Sequence, residues 1–236
     1  MQLTERLKQE LWQRFGTQGH PAEWDGLVYG GGKLSQRYWE YFQSIELLAL
    51  TEDSVILDIG GGSPVTGMGF FSSLLATVAK RVIVMDPNIR PDATPPPNVT
   101  FVREPADEDR LGRLLDAHPE LTHISCVSVF EHIEPSVREG IIRAVDGHFG
   151  GQAFIATLEY HAKRTYFEHA LTAATLSDLF SPFTRFYPDQ FCASPVWCQD
   201  AFDTRVLFRP FRRKKREHPV DIPRWYPIAF RFVPVA

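Results

Sequence analysis

The stretch Val55-Ile56-Leu57-Asp58-Ile59-Gly60-Gly61-Gly62-Ser63 decides the fold. An apolar run closes on an acid, and glycines follow at once. A strand covered on both faces of a parallel sheet reads as a continuous apolar run. Glycines at its end mark a turn where backbone approaches another group closely. A second run, Arg81-Val82-Ile83-Val84-Met85-Asp86, ends the same way. Two strands closing on carboxylates, with a glycine turn after the first, describe a nucleoside site: the glycines admit the ligand to the backbone, and a carboxylate accepts both ribose hydroxyls.

Outward from this pair the pattern alternates. Phe70 to Lys80 reads as a helix and Pro87 to Asn98 as a proline-rich loop. Val99 to Arg103 is a third strand, Glu108 to His118 a helix, His123 to Phe130 a fourth strand and Pro135 to His148 a helix. Gly150-Gly151 turns into a fifth strand, Gln152 to Leu158. This rhythm predicts a doubly wound α/β fold with a mostly parallel sheet and ligands at the carboxyl ends of its strands. Upstream, Leu3, Leu7, Leu11 and Phe15 lie four apart, so Thr4 to Phe15 reads as an amphipathic helix. Ser35 is placed to cap a second, carrying Tyr38, Phe42, Ile45 and Leu48 on one face. After Leu158 the rhythm breaks into an aromatic-rich stretch, with a helix expected from Thr165 to Phe180 and then an irregular insertion. Thr204 to Phe211 and Ile228 to Val233 read as the last two strands. The organisation expected is a helical cap over 1–50 and one α/β domain over 51–236, with an insertion at about 160–203.

Of the 236 residues, 44% are apolar and 23% charged, with a formal net charge of −4. This is ordinary for a globular domain with a sizeable core, and the global charge names no partner. The three cysteines, Cys126, Cys192 and Cys198, form no CxxC pair, which excludes a disulfide framework or zinc cluster and implies a reducing compartment. The polar start is no signal peptide, and no apolar run approaches the ~18 residues that span a bilayer. A cytoplasmic protein is expected.

With these motifs in place, the chain resembles the class I S-adenosylmethionine (SAM) dependent methyltransferases from about Ser54 to Leu158. The resemblance rests on Val55 to Gly62, on Asp86, on Phe130-Glu131-His132-Ile133 after the fourth strand, as in many small-molecule methyltransferases, and on the Gly150-Gly151 turn before the fifth. It implies a seven-stranded Rossmann-like sheet, SAM as cofactor and S-adenosylhomocysteine (SAH) as product. It implies that Gly60, Gly61, Gly62 and Ser63 pack against the methionyl part and that Asp58 orients its amino group. Asp86, followed by Pro87, would hold the ribose. Either Glu104 or Asp107 would meet the adenine, which Ser128 to Phe130 would also face. The chain departs from the family at Pro64, where a further glycine is usual, and at Glu104-Pro105, where Gly-Asp is common.

Competing motifs fail on the residues. A dinucleotide fingerprint started at Gly60 would need glycine at Val65. A phosphate loop at Gly30-Gly31-Gly32-Lys33 would need glycine at Leu27 and Ser or Thr at Leu34. At the expected cleft, His132 is the first candidate base and His161 the second, since an imidazole titrates near ~6.5. Glu131 either joins His132 in the chemistry or caps the next helix. The small-RNA 2′-O-methyltransferases pair a similar Glu-His with a metal but add a glutamate where this chain has Ser128, so no metal is expected. Arg212 to Arg216 is either a solvated hairpin tip or a steering cluster for an anionic substrate. The acceptor expected is thus a small, possibly anionic molecule carrying an oxygen or nitrogen nucleophile. Nucleic acid comes second and a membrane is not expected. A non-catalytic SAM-binding module and a nicotinamide-dependent oxidoreductase are the rival functions.

Overall fold

The computed structural model describes residues 3–15, 33–62, 67–161, 171, 173–193, 198–199 and 224–235. Helices α1 (Leu3–Phe15) and α2 (Lys33–Leu48) precede β1 (Val55–Ile59), α3 (Phe70–Leu75), β2 (Arg81–Met85), β3 (Val99–Val102) and α4 (Glu108–Ala117). Then come β4 (His123–Val127), a short 3-10 turn (Phe130–His132), α5 (Pro135–His148) and β5 (Ala153–His161). The chain continues with α6 (Ala173–Leu179), β6 (Phe186–Ala193), the two-residue β7 (Cys198–Gln199) and β8 (Arg224–Pro234).

The strands run β3-β2-β1-β4-β5-β8-β6, with β7 paired to β8 off this path. Strands β1 to β5 are mutually parallel, and β8 runs antiparallel to both β5 and β6. Every residue of β1 is buried because helices cover both faces of the sheet. Successive side chains of a strand point to opposite faces. Val55, Leu57 and Ile59 therefore pack with Leu111 and Leu115 of α4 and Ile141, Ile142 and Val145 of α5. Ile56 packs with Leu7 and Leu11 of α1, Ile45 and Leu48 of α2, and Leu74 and Leu75 of α3. The N-terminal helices expected as a cap thus also supply part of one helical layer. Strand order reverses between β1 and β4, and the crevice opens at such a switch point, at the carboxyl ends of the strands.

Several expected elements are adjusted. Helix α3 ends at Leu75 rather than Lys80; Asn98 donates from Nδ2 to the Ala76 and Ala79 carbonyls, at 2.9 and 3.1 Å, tying down the turn that follows. Helix α2 begins at Lys33, so Ser35 lies inside its first turn and is not the cap. Strand β4 stops at Val127 rather than Phe130 because Ser128 takes φ +51°, a left-handed conformation that no strand continues through. The stretch expected to be irregular holds β6, an edge strand with a register shift between Pro188 and Gln190. Proline and bulges are at home on edge strands. The expected strand Thr204 to Phe211 and the basic cluster Arg212 to Arg216 lie outside the described residues, as does the first half of the helix expected from Thr165. Among the described residues, no helix is long and apolar enough to cross a membrane.

Candidate active site

The site begins where β1 ends. Gly60 has φ +72°, and a Cβ there would lie 2.3 Å from Val129 Cγ2. Its N–H donates to the Met85 carbonyl at 2.8 Å, which holds the turn against β2. A Cβ on Gly61 would lie 2.3 Å from both Asp58 Oδ2 and Ser72 Oγ. The Gly61 carbonyl accepts from Gly69 N–H at 2.6 Å and from Ser72 Oγ at 2.8 Å. The turn is therefore locked to the start of α3, with its backbone facing the crevice.

Asp58 lies beneath this turn and is 1% exposed. One carboxylate oxygen accepts from Ser72 Oγ at 2.5 Å and the other from Ser125 Oγ at 2.7 Å. Ser125 is available because β1 and β4 pair in a register that sets Asp58 opposite it. Burial pushes the Asp58 pKa up to about 6; the two serine hydroxyls oppose that rise and the neighbouring charge of Asp86 adds to it. Asp86, at the end of β2, is also buried. Its Oδ2 accepts from Gly62 N–H at 3.1 Å and its Oδ1 from Asn88 N–H at 2.7 Å. Pro87 beside it is exposed. Both acids expected from the sequence thus converge on the glycine turn.

A cavity of about 200 Å³ opens over the turn. Asp58, Gly60, Gly61, Gly62 and Ser128 line it, and Tyr41, Phe70 and Phe71 form an aromatic wall. Among the described lining residues none is basic. Ser128 donates from Oγ to Glu40 Oε1 at 2.5 Å, and Glu40 is fully buried on α2. The N-terminal helices are thereby joined to the carboxyl end of β4.

The remaining expected residues divide. Phe130 is fully buried and packs edge-on against Phe154 and Phe180. Glu131 is fully buried and coupled electrostatically to Arg138 of α5 and to the thiol of Cys126. Both residues stand in the 3-10 turn that follows the left-handed Ser128. His132 is exposed and does not line the cavity. His161 ends β5, paired with Trp225 of β8; its side chain and Ser63 lie outside the described residues. Asp107 caps α4, accepting from Arg110 N–H at 2.8 Å, and that bond is the first cause of its lowered pKa. Glu104 is exposed and sits 3.4 Å from Arg110 Nε.

Sequence reasoning missed Glu40, Tyr41, Ser72 and Ser125. The last two carried a signal: hydroxyls inside the apolar runs Phe70 to Leu75 and Ile124 to Val127 need a buried partner, and Asp58 is it.

No family model matches this chain, and no curated protein does. Solved structures do. A SAM-dependent methyltransferase from Anabaena variabilis superposes with a TM-score of 0.54 at 12% identity, over 96% of this chain and 94% of that one. The geranyl diphosphate C-methyltransferase of Streptomyces coelicolor, solved with Mg2+, geranyl diphosphate and SAH, gives 0.52 at 10% identity, over 98% and 97%. The magnesium protoporphyrin IX methyltransferase of Synechocystis, solved with bound SAM, gives 0.50 at 13% identity, over 97% and 97%. At these identities the likeness is one of architecture. The fold is the Rossmann-like fold of the SAM-dependent methyltransferases, as the strand order and the parallel core also require.

Proposed function

We propose that this chain is a SAM-dependent methyltransferase that transfers a methyl group to an oxygen or nitrogen nucleophile of a small molecule, anionic or neutral. One observation carries the reading: Asp58, the Gly60 to Gly62 turn and Asp86 meet at the switch point of the sheet, beside a cavity whose described lining includes the Asp58 carboxylate and no basic residue. The residues fit the group. SAM carries an ammonium and a sulfonium, and the buried carboxylates supply opposite charge. A backbone clear of side chains admits the methionyl carboxylate, and the Asp86 carboxylate, held beside the turn by Gly62 N–H, has the chemistry to accept from a ribose diol.

The sulfonium supplies a methyl carbon already activated for attack. This chain's own residues then align the acceptor with that carbon and exclude water, and Tyr41, Phe70 and Phe71 provide apolar walls for that purpose. Among the described residues His132 does not line the cavity, which leaves His161 as the candidate base if the acceptor keeps its proton. Isothermal titration with SAM and SAH tests binding, and a radiolabelled methyl donor offered to metabolite and RNA pools tests turnover. Label in small metabolites supports the reading; label in RNA would replace the acceptor class. Binding of both ligands with no label transferred would favour a non-catalytic module.

Asp86→Asn is expected to weaken SAM binding by about 1–2 kcal/mol, the loss of charge-assisted hydrogen bonds to the diol. Parallel titration of methionine, which lacks the ribose, is expected to show no difference between the two proteins. An unchanged SAM affinity would place the ribose elsewhere.

A further inference from the structure

We propose that Tyr41 is a specificity-determining residue that reads the positive charge on the methyl donor's sulfur, and so separates the charged donor from its neutral thioether product. This rests on the SAM-binding reading above and extends it to helix α2, which lies outside the glycine and aspartate motifs.

Three observations support it. Tyr41 is held in place by two neighbours: its ring stacks on Phe71 at 5.2 Å between centroids with 12° between planes, and on Phe70 at 5.7 Å and 27°. All three rings line the cavity above Asp58 and the glycine turn. The described lining contains one buried carboxylate, Asp58, and no lysine or arginine, so a cation entering it meets that acid and the three aromatic residues. Ring faces carry negative potential, and a cation within ~6 Å of one is attracted.

The position of Tyr41 is also fixed along the helix. The adjacent Glu40 is fully buried and accepts the Ser128 hydroxyl at 2.5 Å, which pins this turn of α2 to the end of β4. The aromatic wall is thus part of the folded crevice. When the methyl group leaves, the C–S bond electrons remain on sulfur, which becomes neutral. The wall then loses its electrostatic hold, and product departs more readily than donor.

The test compares three ligands on three proteins by isothermal titration. The ligands are SAM, SAH and sinefungin, which carries a protonated amine in place of the sulfonium. The proteins are the wild type, Tyr41→Leu and Tyr41→Phe. Tyr41→Leu is expected to weaken SAM and sinefungin by about three- to tenfold while SAH stays within about twofold. Tyr41→Phe, which keeps a ring face, is expected to preserve the wild-type ratio of SAM to SAH affinity. If Tyr41→Leu does not fold, Phe70→Leu is the substitute, with the same expected drop in that ratio. Equal weakening of charged and neutral ligands, or an unchanged ratio, would overturn the inference and leave the cofactor reading standing. Failure of the wild type to bind any of the three would overturn both.

Discussion

Gly61→Ala is expected to lower SAM affinity by about a hundredfold or more while leaving the far side of the sheet intact. The added carbon would lie 2.3 Å from two buried oxygens, Asp58 Oδ2 and Ser72 Oγ, which are themselves hydrogen-bonded at 2.5 Å. Neither can retreat cheaply, because Asp58 is also held by Ser125 and Ser72 by the Gly61 carbonyl. The turn must therefore move, and its N–H groups move with it. Titration calorimetry reads the affinity, and far-ultraviolet circular dichroism reads the fold. A Gly61→Ala protein that binds SAM as the wild type does would mean that the turn does not face the ligand. Gly147→Ala is the control, since a Cβ there meets nothing within 4 Å.

The second large effect is on pH. Burial raises the Asp58 pKa from the ordinary carboxylate range to about 6. In the free protein the carboxyl is therefore protonated below about 6, and a cationic ligand favours the ionised form. Proton and ligand compete. Between pH ~7.5 and ~5, SAM affinity is expected to fall about tenfold, with proton release on binding near the middle of that range. Asp58→Asn should bind more weakly at neutral pH and lose this dependence. Stability runs the other way. A carboxyl whose folded pKa is raised destabilises the native state fully above that pKa, and the penalty is relieved as pH falls through it. The free protein should thus gain stability from Asp58 as pH drops from about 7 towards 4. Asp107 and Asp146, whose pKa values are lowered, pull in the opposite direction once pH nears the ordinary carboxylate range. A flat SAM affinity across the interval would show that Asp58 does not face the cation.

Much of this fold was legible because buried parallel strands advertise themselves. Strands β1 to β4 stand where apolar runs end in polar or turn residues, and Asp58 and Asp86 were readable as the acids that close two of them. Strand β6 was not legible. Its Tyr187-Pro188-Asp189-Gln190 core is exposed at the sheet edge and carries no alternation to read. The site was half legible. Asp58 and Asp86, which close strands, could be placed from the apolar runs before them, while the residues after β4 could not. A single left-handed residue, Ser128, ends that strand ahead of the buried Phe130 and Glu131, and nothing in Val127 to His132 announces that conformation. Glu40 and Tyr41 were invisible for another reason. Their roles arise from docking α2 on residues far along the chain, as the Glu40 to Ser128 bond across 88 positions shows, and local periodicity marks them only as parts of an amphipathic helix.

The most direct measurement is a co-crystal of the wild-type protein with SAH. Adenosyl density in the crevice, its methionyl end over the Gly60 to Gly62 turn and its ribose hydroxyls on Asp86, is the expected result. Density on another face of the molecule, or a crevice that stays empty at saturating ligand, would contradict it.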